Sequence, residues 1–349
     1  MARTRAMQRI ILPVLTLVSC LSACEPQTAT ITPDAATSQD AEVSDEGDAS
    51  SEKATPKAED NSKAAELKMA FAKLETAKTE DSARWTDSLR ADAHKMLAVS
   101  HSDAATALKA IVAGPHRHPE NVARDDQRHP EQTLAFFSIR PDMTVVEIGP
   151  GRGWYTEILA PFLAKSGQLV VNSSDPNGPE TESRTYYARR FQYFVDSNQE
   201  LYGKIVQQRG KDGVLNIGAE ASADAVLVVR GLHGHARRGT LAATLETIHA
   251  TLKEGGIFGV VQHRAAEGAD PKISAKAGYL PQAWLVEQVL AAGFVLQESS
   301  EINANPKDTR DYPEGVWTLP PTLALGEKDA ATYKTIGESD RMTLRFAKR

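Results

Sequence analysis

Four groups of residues in this chain have types and spacings that can do chemistry. The first is Glu147 followed by Gly149, Gly151 and Gly153, in the stretch VVEIGPGRGWYTEIL. An acid, Glu147, stands two residues ahead of a G-x-G-x-G turn. The glycines reach positive φ and let a ligand come close to the backbone, and a helix start just beyond adds N–H donors without partners. The spacing differs from the dinucleotide fingerprint G-x-G-x-x-G. The bland alternative is a strand-to-helix turn that holds no ligand. The second and third groups are RGLHGH at Arg230 to His235 and QHR at Gln262 to Arg264. His233 and His263 are candidate general bases toward a hydroxyl or amine, because an imidazole titrates near neutrality. Arg230 and Arg264 can grip a carboxylate or phosphate with a fork of donors. The competing role is structural: capping strand ends and pairing with acids such as Asp125, Asp308 and Asp311. The fourth group is His116, His118 and His129, in GPHRHPENVARDDQRHP. H-x-H plus a third histidine can ligate zinc. No second ligand cluster accompanies it, so a polar loop and helix start without metal is the favoured reading, and a substrate-facing lid remains a further role.

These groups need elements to position them. Thr144, Val145 and Val146 form an apolar run ahead of the glycines, and Tyr155, Ile158, Leu159 and Phe162 then recur at helical spacing. Strand, tight turn and helix in that order open a nucleotide-binding α/β sheet. Further strands are expected at Gly167 to Val171, Gly213 to Leu215, Asp224 to Val229, Ile257 to Val261, Gly293 to Glu298 and Met342 to Phe346. Helices are expected at Glu182 to Val195, Thr240 to Leu252 (closed by Gly255-Gly256) and Pro281 to Ala292. Alternating strands and helices imply a sheet covered on both faces. The candidate histidines and arginines fall at strand C-terminal ends, where such sheets bind ligands. The Pro- and Gly-punctuated insert at Asn303 to Leu325, with Trp317, reads as a lid or as a fixed packing insert. Glu338, Asp340 and Arg341 read as a structural turn network.

The start of the chain has another character. Arg3, Arg5 and Arg9 precede an apolar run from Ile10 to Val18 that is too short to span a membrane and has the layout of a secretory signal. It ends in Leu21-Ser22-Ala23-Cys24, which resembles the bacterial lipobox. Residues 1–23 are therefore expected to be a lipoprotein signal peptide and Cys24 the lipidated first residue of the mature chain. Residues 24–61 are rich in Ala, Ser, Thr, Asp, Glu and Pro, carry no aromatic residue, and read as a disordered acidic tether. Ser62 is the expected helix N-cap, residues 62–112 a helical lead-in, and residues 113–349 the main domain. The other cysteine, Cys20, falls in the signal, so no disulfide is expected. The net charge of −6 and the lack of a basic stripe with interleaved aromatics argue against nucleic acid as a partner.

The stretches RDDQRHPEQTLAFF, VVEIGPGRGWYTEILAP, VVRGLHGH, GVVQHRA, SEINANPKDTRDYPEGVWTLPP and IGESDRMTLRF together resemble a bacterial family of predicted class I S-adenosylmethionine (SAM) methyltransferases that are exported, often as lipoproteins. The glycine turn itself resembles motif I of class I methyltransferases. The resemblance implies a Rossmann-like class I methyltransferase fold: a seven-stranded, mostly parallel sheet with an antiparallel last strand, here with an N-terminal helical extension. It implies SAM as cofactor, methyl transfer to a small-molecule or envelope acceptor, and a bacterial cell-envelope location through a lipid anchor at Cys24. Glu147 would lie near the amino end of SAM, with Gly149, Gly151 and Gly153 wrapping its methionine part. His233, His263 and Arg230 would face the acceptor. The family's ribose-binding acid at the end of the second strand is matched in register by Ser173. Asp175, two residues on, is the expected substitute. A catalytically silent ligand-binding protein on the same scaffold is the alternative.

Overall fold

The computed structural model describes residues 56–210 and 215–349, with side chains from residue 64 onward. Cys24, the expected signal peptide and the first part of the expected tether lie outside the described residues.

Seven strands form one sheet: β1 (Thr144–Ile148), β2 (Gln168–Ser173), β3 (Val206–Arg209), β4 (Ala223–Val229), β5 (Leu252–His263), β6 (Phe294–Ser300) and β7 (Arg341–Lys348). Their order is β3-β2-β1-β4-β5-β7-β6. β1 pairs in parallel with β2 and β4, and β4 with β5. β7 runs antiparallel between β5 and β6. This is the Rossmann-like class I methyltransferase fold, with its mixed seven-stranded sheet and an N-terminal helical extension.

The pleat of β1 divides the core. Val145 packs into an apolar cluster with Ile158, Leu159 and Phe162 of the helix Thr156–Leu163. Val146 and Ile148 point the other way, to a cluster with Leu245, Ile248 and Phe346. Every residue of these two sets is at most 5% exposed. Burying one such side chain contributes about 1.5–3 kcal/mol, so both faces are firmly fixed.

The helical extension has four helices: α1 (Pro56–Ala72), α2 (Leu74–Ala83), α3 (Asp87–Ala98) and α4 (Ala104–Val112). The first starts six residues ahead of the expected Ser62 cap. Thr86 and Asp103 cap α3 and α4, accepting from the amides of Leu89 and Thr106. Trp85 ties the extension to the main domain: it packs edge-on to Tyr202 and donates to Ser197 Oγ at 3.0 Å. Among the described residues no helix is long and apolar enough to cross a membrane.

Two elements differ from expectation. β3 is Val206–Arg209, a strand not expected there, while the strand expected at Gly213 to Leu215 falls mostly outside the described residues. Leu215 is irregular, and residues 213 and 214 lie outside the described residues. Gly255-Gly256 does not end a helix either. The helix Leu241–Thr251 stops at an extended Leu252, and both glycines sit inside β5, where the pairing with β4 shifts register. Gly255 has φ +71°, and this makes the irregularity possible.

Candidate functional site

The strand ends converge on one open cavity of about 900 Å³. β1 supplies Glu147 and the turn that follows, the turn after β4 supplies Arg230, the helix Leu232–Arg238 supplies His233, and β5 ends in His263. Because β7 is antiparallel, its first residue, Arg341, pairs with His263, the last of β5. The segment just before β7 therefore reaches the same rim and adds Glu338 and Ser339 to the wall.

Glu147 shares the Val145 side of β1, beneath the helix Thr156–Leu163. It is 4% exposed and accepts a hydrogen bond from Thr156 Oγ1 at 2.6 Å. Burial raises its pKa to about 7, and the Thr156 hydroxyl opposes that rise only in part. Gly149 and Gly151 have φ of +67° and +61°, and a Cβ on either would project into open space. Both line the cavity. The Gly149 amide is committed to Asn172 O at 3.0 Å. The amides of Gly151 and Arg152 make no hydrogen bond among the described residues, so they remain available to a ligand. Gly153 does something else. It lies off the cavity, and a Cβ there would sit 2.8 Å from the Phe194 ring. It is glycine for close packing. Asp175 also lies away from the cavity. It is exposed and closes a local turn by accepting from the Asn177 amide at 2.9 Å. Ser173 holds the end of β2, its hydroxyl donating to Ser174 O at 3.4 Å.

The β4 end carries an arginine cluster. Arg128, from the short helix Asp125–Arg128, donates Nε to both oxygens of Glu338 at 2.9 and 2.8 Å, and Arg341 donates Nη1 at 2.8 Å. Arg128 is braced over the Trp154 ring at 5.1 Å. Arg230 stands 3.8 Å from the same carboxylate, in a left-handed backbone conformation (φ +58°). Burial would push the Glu338 pKa up, but the charges of Arg128, Arg230 and Arg341 hold it below the usual value. Burial and the neighbouring Arg128 lower the Arg230 pKa to about 9.

His233 and His263 face each other with ring centroids 5.9 Å apart, and Trp317 closes on His233 at the same distance. His263 Nδ1 shares a 2.5 Å hydrogen bond with Ser339 Oγ. Burial lowers the His233 pKa to about 4, the contact with Gln262 opposing, and burial with Arg230 drives His263 well below its ordinary value. Both imidazoles are neutral at physiological pH.

The other candidates are structural. Arg264 is held by Asp340 and Glu301, with Nε to Asp340 at 2.9 Å and Nη2 to Glu301 at 2.6 Å. His116, His118 and His129 do not converge, and no group of three or more metal-ligating side chains forms among the described residues. His116 Nε2 bonds Glu157 O at 2.9 Å. His118 caps the turn Pro119–Val122, and His129 sits at φ +44° between two helices. The polar stretch around them is tethered through Glu157, which accepts from Arg117 Nε, the His118 amide and Asn121 Nδ2. Asn121, Arg124 and Arg128 line one side of the cavity. Trp317 and Pro320 of the insert line another.

Arg128, Trp154, Glu338 and Ser339 escape a motif-based reading. The signal for the last two is a polar run, ESDR, placed directly before an apolar strand.

No protein-family model and no curated protein matches the chain. Solved structures do show a likeness. One is a SAM-dependent methyltransferase from Aquifex aeolicus, 12% identical, covering 64% of this chain and 92% of that one with a TM-score of 0.43. A putative sarcosine dimethylglycine methyltransferase from Galdieria sulphuraria is 13% identical, with 66% and 87% covered and a TM-score of 0.43. A geranyl diphosphate methyltransferase in complex with SAM is 11% identical, with 73% and 95% covered and a TM-score of 0.43. These are likenesses of fold; activity has to be argued from the site.

Proposed function

We propose that this protein is a SAM-dependent methyltransferase, exported and tethered to a bacterial membrane through a lipid on Cys24, that methylates a small molecule or an envelope component. The observation that carries this reading is the pairing of a buried Glu147 carboxylate with the open turn at Gly149 and Gly151. A buried carboxylate with one hydroxyl partner is short of counter-charge. The ammonium of a methionine moiety would supply it, and the amides of Gly151 and Arg152 would take an oxygen of the same ligand. SAM, when bound, supplies a methyl group on a sulfonium. The protein's part is then alignment, which by itself lowers such a barrier substantially. Trp317, Pro320 and the Asn121 to Arg128 wall would limit water in the cavity. His233 is too weakly basic to keep a proton at neutral pH, so any proton it takes from an acceptor must pass on to solvent.

Calorimetric titration of the full-length chain with SAM and S-adenosylhomocysteine tests this reading. Micromolar binding supports it, and a folded sample with no affinity for either removes it.

A second reading is a catalytically silent ligand-binding protein on the same scaffold. One observation favours it: Asp175 is exposed and turned to its own loop, so no acid at the end of β2 faces the cavity to hold a ribose diol. Turnover of methyl-labelled SAM would eliminate it.

A further inference from the structure

We propose that Arg230, set beside the Glu338 cluster, is the subsite for an anionic group of the methyl acceptor, a carboxylate or a phosphate; this rests on the methyltransferase reading above. Three guanidinium groups surround one carboxylate here. Arg128 and Arg341 already give Glu338 close hydrogen bonds on both oxygens. Arg230 adds only a 3.8 Å ion pair, and its side chain makes no hydrogen bond among the described residues. It is about a quarter exposed, and the exposed part faces the cavity. A forked donor left free on a cavity wall is the arrangement that binds carboxylates and phosphates bidentately.

The nearby groups do not neutralise this excess charge. His233 and His263 are uncharged, and Ser339 is committed to His263. The Glu147 carboxylate is bonded to Thr156 and forms no ion pair with an arginine among the described residues, so it is not the counter-ion. Glu120, on the far wall, is exposed and pairs with Arg152 at 3.9 Å. The backbone adds an independent indication. Arg230 holds φ +58° in a non-glycine residue at the end of β4, the kind of local strain that persists where a side chain must be aimed. The cavity, about 900 Å³, lies at the upper end of single-ligand sites, which leaves room for an acceptor beside a cofactor.

The shared chemistry, an anion on Arg230, has two sources: the acceptor, or the methionine carboxylate of the cofactor. Titration of the full-length chain with inorganic phosphate at low salt, with and without saturating S-adenosylhomocysteine, separates them. The expected result is saturable phosphate binding, retained when S-adenosylhomocysteine is bound. Arg230→Gln should weaken it by about tenfold or more, the scale of one charged hydrogen-bond pair. That variant keeps both close partners of Glu338. Should it fail to fold, Arg230→Lys, which keeps the charge but not the fork, should still weaken phosphate binding about threefold or more. Absence of saturable phosphate binding, or wild-type affinity in a folded variant, overturns the proposal. Displacement of phosphate by S-adenosylhomocysteine also overturns it, and gives Arg230 to the cofactor. Phosphate binding without any affinity for S-adenosylhomocysteine would instead remove the methyltransferase reading and, with it, the acceptor role.

Discussion

Thr156 donates its hydroxyl to Glu147 at 2.6 Å, and this is the one hydrogen bond the Glu147 side chain receives among the described residues. The pair joins the end of β1 to the start of the helix that follows the glycine turn. It leaves Glu147 with a pKa of about 7, so its charge state changes within the working pH range. A ligand ammonium needs the ionised form. Affinity for S-adenosylhomocysteine is therefore expected to fall as pH drops below 7, by up to about tenfold per unit, with proton release on binding. Calorimetry from pH 5.5 to 8.5 in buffers of different ionisation enthalpy checks this. Glu147→Gln should bind weakly and lose the pH dependence.

The two glycines of the turn that differ in surroundings should differ in phenotype. Gly151→Ala places a methyl in open space at positive φ, at a cost of about 1–2 kcal/mol. Its main effect should be weaker binding of S-adenosylhomocysteine. Gly153→Ala adds a collision with Phe194, so about 3 kcal/mol or more of stability should go. Thermal melts and titrations of both variants separate the two effects.

Acid should unfold this protein early. His116, His233 and His235 are held at about 4 against 6.5, in each case chiefly by burial. Between those values the unfolded chain binds more protons, so stability falls as pH drops below 6.5. Glu147 has the opposite sign. Its folded pKa is raised from 4.5 to about 7, so its contribution is full below 4.5 and is lost as pH rises through 7. Glu157 and Asp308 shift in the same sense as Glu147, and His118 and His263 in the same sense as the three histidines. Five histidines against three carboxyls leave a net loss, and Tm should drop by roughly 10 °C between pH 7 and pH 5. A Tm flat over that range would contradict the burial of these imidazoles.

Arg264→Ala should act on stability and leave ligand affinity alone. It removes the bonds to Glu301 and one of two guanidinium partners of the buried Asp340, while Arg310 stays at 2.6 Å. A loss of about 2–3 kcal/mol in urea denaturation is expected, smaller than for a buried charge left wholly unpaired. Unchanged affinity for inorganic phosphate would separate it from Arg230.

Much of the sheet is legible in the sequence because β1, β2, β4 and the second half of β5 carry buried apolar runs rich in Val, Leu and Ile. β3 is not legible. It is an edge strand, VQQR, with no fully buried residue, and so carries no hydrophobic signature. Glu147, Gly149 and Gly151 are readable because a local turn places them. The Arg128 and Glu338 pair is not, since 210 residues separate them and only the return of β7 brings them together. Asp175 shows the same limit from the other side: its spacing fits a ligand contact, but its carboxylate serves its own turn.

The insertion of β7 between β5 and β6 has a consequence for biogenesis. Glu338, Ser339 and Arg341 join the rim only when that strand docks. A chain folded only through β6 has Glu147, Gly151, Arg230 and His263 but lacks Glu338, the carboxylate that Arg128 grips, and Arg341 with it. Arg128 and Arg230 would then face each other without their shared counter-ion. Ligand binding and final folding thus belong to one late event, and the chain acquires its pocket only after β7 has docked.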